Sequence, residues 1–101
     1  MSSELEAPTV AVKNGCYIIR TPDSTDELGK EGLVVDFRYK GERGTFHVGD
    51  VELKAGGEKA EIAISTSLNY LTDKILRFYY RYDTHGDSQD SKVATHPNVG
   101  A

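Results

Sequence analysis

The residues with atoms suited to chemistry fall mainly near the C-terminal end. The segment Asp83-Thr84-His85-Gly86-Asp87-Ser88-Gln89-Asp90 gathers three aspartates and an imidazole within eight residues. Calcium takes about six to eight oxygen ligands, and aspartates clustered on a loop can supply them. The spacing is not that of an EF-hand, because Ala94 stands where the closing glutamate would fall. The competing reading is a hairpin tip in which Asp and Gly satisfy turn geometry. The run Asp23-Ser24-Thr25-Asp26-Glu27 carries the same two readings. Just before the tip comes Phe78-Tyr79-Tyr80-Arg81-Tyr82. Strand alternation turns Phe78 and Tyr80 inward and Arg77, Tyr79 and Arg81 outward. An exposed Tyr between Arg residues has the composition of a binding hot spot. A sugar-stacking face and plain cross-strand packing with cation–π contact are the other readings. The candidate binding residues are therefore Arg77, Tyr79, Arg81, Asp83, His85, Asp87 and Asp90.

Catalytic and metal patterns are missing from the rest of the chain. There is no HExxH, CxxC, GxxxxGK[ST] or GxSxG. His47, His85 and His96 fall on three separate elements, so solvated histidines are expected in place of a zinc site. Cys16 is the only cysteine, which rules out an intrachain disulfide; it reads as a small hydrophobe at a strand start, with a reactive thiol or an intermolecular disulfide as the alternatives. Asp36 and Glu61 lie on strand faces expected to be wet, where nothing raises a carboxyl into the acid–base range. The expectation is a chain that is not an enzyme, with no metal site and no cofactor.

These side chains need a scaffold, and the patterning supplies strands. Thr9-Val10-Ala11-Val12 and Cys16-Tyr17-Ile18-Ile19-Arg20 flank Asn14-Gly15, the strongest short-range hairpin signal. Leu33 to Lys40 alternates, with Leu33, Val35, Phe37 and Tyr39 on one face and Val34, Asp36, Arg38 and Lys40 on the other. Gly41 to Gly44 reads as a turn, and Thr45–Val48 and Val51–Lys54 as two short runs flanking Gly49-Asp50. Ile62 and Ile64 share a face of the next strand, and Leu68 and Leu71 are placed to plug one end. Leu76, Phe78, Tyr80 and Tyr82 form the inward face of the longest strand, from Lys74 to Tyr82. A last strand runs from Lys92 to His96 and is limited by Pro97. Roughly seven to eight strands, with turn signals about every 8–12 residues, predict an all-β, antiparallel two-sheet sandwich of the immunoglobulin-like kind. The domain is expected over residues 8–97, with a flexible lead at 1–7 and a fraying end at 98–101.

The chain has 101 residues and a formal net charge of −4. One domain is the size expectation. The acidic balance argues against nonspecific nucleic-acid binding, which needs a basic face. No run approaches the ~20 apolar residues of a membrane helix, so no membrane insertion is expected. The start lacks the basic and apolar regions of a signal peptide. That suits a cytoplasmic chain or signal-less export if the chain is full length, and an extracellular surface if it is a fragment. The expected function is a non-catalytic interaction or structural module with a protein partner, in adhesion, spacing or assembly; the alternatives are a small stand-alone binder or inhibitor acting through loops or a sheet edge, and a carbohydrate- or calcium-binding sandwich, with self-association also open.

Several segments together resemble the bacterial immunoglobulin-like domains found in tandem in large surface and secreted proteins. These are Ala7-Pro8-Thr9-Val10, Val35-Asp36-Phe37-Arg38-Tyr39-Lys40-Gly41, and the final stretch with Lys74 to Asp83, Gly86 and Ser91 to Val99. The sequence departs from that pattern in its long acidic loop at 22–31 and in repeating the pattern nowhere within its 101 residues. The resemblance implies a spacer or adhesion role and carries no catalytic residues.

Overall fold

The computed structural model describes residues 6–22, 34–52, 60–69, 71–84 and 87–99. Leu33, the run from Asp23 to Glu27 and His85 therefore lie outside the described residues, as does the side chain of Tyr82. Eight strands follow one another: β1 (Thr9–Lys13), β2 (Cys16–Arg20), β3 (Val34–Gly41), β4 (Gly44–Glu52), β5 (Glu61–Ser65), β6 (Ile75–Thr84), β7 (Asp87–Asp90) and β8 (Ala94–Pro97). One antiparallel sheet has the order β1-β2-β5; the other has the order β4-β3-β6-β7, with β8 also paired to β6. The expected all-β two-sheet sandwich is the observed architecture. Among the described residues, no helix is long and apolar enough to cross a membrane.

Local chemistry explains the first hairpin. Asn14 and Gly15 both have positive φ, 52° and 74°. That is the mirror-image turn whose twist matches the flanking strands. It sets β1 against β2 with Lys13 opposite Cys16 and Thr9 opposite Arg20.

β7 and β8 are consecutive lengths of one sheet edge. β7 pairs with Arg81–Thr84 of β6, and β8 with Ile75–Phe78. Between them Ser91 is buried and takes over the pairing: Tyr80 N donates to Ser91 Oγ at 3.0 Å, and Ser91 N donates to Tyr80 O at 2.9 Å.

The inward faces meet in one aromatic core. Val35, Phe37 and Tyr39 of β3 and Leu76, Phe78 and Tyr80 of β6 pack against Tyr17 and Ile19 of β2 and Ile64 of β5. Phe78 is central, with its ring 6.0 Å from Tyr17 and 5.4 Å from Tyr39. Leu71 is buried at one end with Leu68 packed beside it, as their spacing predicts.

Two strand readings are corrected. Thr45–Val48 and Val51–Lys54 do not form separate runs about a Gly-Asp turn; Gly44–Glu52 is one strand. Its register against β3 shifts at Phe37/Arg38, where Phe37 faces Gly49 and Arg38 faces His47. Val48 is the extra residue of a β-bulge. A side chain at Gly49 would collide with Ile62 of β5, so glycine lets the edge strand close over the other sheet. The tip from Asp83 to Asp90 is likewise mostly ladder. Asp83 pairs with Ser88, Thr84 with Asp87 and Arg81 with Asp90.

Both ends of the domain are tied down. Residues 98 and 99 were expected to fray, yet Asn98 Nδ2 donates to Leu71 O and Asp73 O, both at 2.9 Å. The buried Tyr17 hydroxyl donates to Asn98 Oδ1 at 3.1 Å and accepts from Val99 N at 2.9 Å. At the other end Tyr80 Oη donates to Glu6 O at 2.6 Å, within the segment read as a flexible lead.

Candidate binding face

β6 lies inside the five-stranded sheet, so its outward residues sit mid-surface, away from the edges. Register arranges the surrounding side chains in two rows. Asp50, Asp36, Arg81 and Asp90 stand side by side across β4, β3, β6 and β7. His47, Arg38 and Tyr79 form the next row across β4, β3 and β6.

The charges in these rows hold one another. Arg81 donates through Nε to Asp90 Oδ1 at 2.6 Å and through a terminal nitrogen to Oδ2 at 3.3 Å. Arg38 Nε donates to Asp36 Oδ2 at 2.8 Å. His47 Nε2 lies 2.9 Å from Asp50 Oδ1 and 3.2 Å from Asp36 Oδ1. These bonds favour the charged forms of both arginines: Asp36 raises the pKa of Arg38, and Asp90 that of Arg81. Asp36 and Asp50 are directly opposed like charges, an arrangement that destabilises a sheet unless cations sit beside it.

The structure brings together part of the candidate set. Arg77, Tyr79 and Arg81 share the outward face of β6, and Asp90 joins them through Arg81. Tyr79 departs from the expectation of exposure. It is only 8% exposed, because mid-sheet it is hemmed in by Arg77 and Arg81 along its strand and by Arg38 across it. For Asp83 and Asp87 the backbone is in the ladder and the side chains lie outside the described residues. Of the tip carboxylates, Asp90 is described and is engaged by Arg81.

Asp36, Arg38, His47 and Asp50 were not among the candidates. Alternation already placed Asp36 and Arg38 on the outward face. His47 and Asp50 had no such signal, because residues three apart fall on opposite faces of a regular strand. The bulge at Val48 puts both outward. The only trace in the sequence is Gly49, since an isolated glycine inside a strand often marks a bulge.

A second polar cluster closes one end of the sandwich. The buried Tyr39 hydroxyl donates to Asp73 Oδ2, and Glu42 N donates to the same oxygen at 3.4 Å. Burial, reinforced by Asp73, pushes the Tyr39 phenol well above its ordinary value. An open recess of about 310 Å³ beside this pair is lined by Gly41, Arg43, Phe46 and Asn69.

Compared with protein-family models, with curated proteins and with solved structures, the chain matches none.

Proposed function

We propose that this chain is a non-catalytic interaction or structural module of immunoglobulin-like architecture. It presents the outward face of the five-stranded sheet to a protein partner, in an adhesion, spacer or assembly role. The observation that carries this reading is the row of Arg and Asp side chains across four strands, with Tyr79 and Arg38 beside it. Arg is among the residue types that anchor interfaces, and the covered Tyr79 backs the arginines from within the sheet. Their mutual ion pairs hold the side chains in place before contact, which lowers the entropy lost on binding. Protein is favoured over carbohydrate because sugar stacking needs an open aromatic face, and Tyr79 is almost covered. Both signs of charge are present, so a second copy of the chain also suits this surface.

Photocrosslinking tests the reading. A photoreactive residue replacing Arg77 is compared with one replacing Ala63, which is exposed on the other sheet. Adducts to one defined protein, or to a second copy, from position 77 alone are expected in the native source. Equal labelling from both positions, or none from either, overturns it.

A further inference from the structure

The geometry points to a divalent transition-metal site on the outward face of the β3–β4 pair, built from Asp36, His47 and Asp50. Each residue offers one donor atom, and the three atoms lie within 4.8 Å of one another. His47 Nε2 is 3.2 Å from Asp36 Oδ1 and 2.9 Å from Asp50 Oδ1. Donors bound at ~2.1 Å to one ion stand ~3–3.5 Å apart at octahedral or tetrahedral angles. Both measured separations are close to that range.

A second observation, independent of the clustering, is the state of Asp36. The residue is only 9% exposed, and its Oδ1 has no hydrogen-bond partner. Arg38 holds the other oxygen, Oδ2, at 2.8 Å, which turns Oδ1 toward His47 and Asp50. His47 does not satisfy it, because the hydrogen bond of Nε2 goes to Asp50 Oδ1. A buried carboxylate oxygen without a partner is costly. An incoming ion displaces the proton that Nε2 shares with Asp50, and three acceptors then face one centre. A divalent cation satisfies all three donors and offsets the repulsion between the opposed aspartates. Arg38 then acts as the outer partner that orients a ligating carboxylate.

The donor set selects the class of ion. One imidazole with two carboxylates suits Zn²⁺, Fe²⁺, Co²⁺ or Mn²⁺, whereas Ca²⁺ prefers oxygen ligands alone. His47 and Asp50 have side chains 54% exposed, leaving coordination positions open to water or to a donor from a partner. The bulge at Val48 assembles the site, since it alone turns His47 to the side of Asp50. Asp36 and Asp50 belong to the proposed interaction face, but binding of the ion needs no partner.

The test uses the full chain, freed of metal by a chelator. Zn²⁺ is titrated in competition with a chromophoric chelator, and thermal midpoints are recorded with Zn²⁺ and with Ca²⁺. Binding of one Zn²⁺ per chain is expected, with a midpoint raised by Zn²⁺ and unmoved by Ca²⁺. His47→Ala and Asp50→Asn replace exposed residues, so they leave the fold intact, and each lowers the affinity by about 100-fold or more. His96→Ala, on β8, keeps the wild-type affinity. Absence of Zn²⁺ binding in the wild type overturns the proposal. Equal Zn²⁺ affinity in the wild type and His47→Ala also overturns it.

Discussion

The outward face of the three-stranded sheet carries Thr9, Ala11, Ile18, Arg20, Glu61 and Ala63, and all but Ile18 are exposed. In the middle of the corresponding face of the five-stranded sheet, Asp36, Arg38, Arg77, Tyr79 and Arg81 are buried or half-buried, whereas His47 and Asp50 of β4 and Asp90 of β7, toward its edges, are exposed. Both faces were read as wet from the same alternation. Sheet width and side-chain length separate them. On the narrow sheet β2 alone has a neighbour on each side, and the side chains are mostly short. On the wide sheet β3 and β6 have neighbours on both sides, and long side chains lean on one another until the middle of the face is covered. Strand period decides which side a residue is on; the extent of the sheet decides how much water it meets.

Four measurements test this difference between the faces. Phe78→Ala should cost about 3–5 kcal/mol in urea unfolding, since its ring is fully buried beneath both faces. A loss below about 1 kcal/mol would mean that the two sheets do not share that core. Tyr79→Ala should cost about 1.5–3 kcal/mol, close to the value for a buried side chain. A near-neutral result would return the wide face to the behaviour of the narrow one.

Tyr39→Phe should cost about 1 kcal/mol near neutral pH through loss of the hydrogen bond to Asp73. Folding raises the phenol pKa, so the protonated form stabilises the native state. That stabilisation is complete below the unfolded value of about 10 and is lost as pH rises through the folded value. The advantage of the wild type over Tyr39→Phe should therefore shrink in unfolding curves recorded above pH ~10. The smallest effect compares one ion pair from each face in double-mutant cycles. Arg81–Asp90 should couple by about 0.5–1 kcal/mol and the more exposed Arg20–Glu61 by less than about 0.5 kcal/mol. Equal coupling would show that the wide sheet does not shield its charges.

Much of the scaffold was legible in the sequence because its signals are local. Asn14-Gly15 announced the first hairpin, and the apolar positions of β3, β5 and β6 announced the core. The contribution of Tyr17 and Ile19 and the anchoring role of Asn98 were not foreseen, since they depend on partners far along the chain. The candidate face was half legible. Arg77, Tyr79 and Arg81 stood out by residue type, but Asp36, Arg38, His47 and Asp50 joined them only through pairing.

Residue order along the chain dictates the alternation of each strand, and with it the all-β sandwich and most of the residues that fill it. Only the tertiary structure decided where His47 points and how exposed Tyr79 is. The side a strand residue takes depends on its register with the neighbouring strand, and one extra residue at Val48 resets that register for everything before it. Burial on an outward face depends on what the adjacent strands place beside it, which no count along β6 reveals.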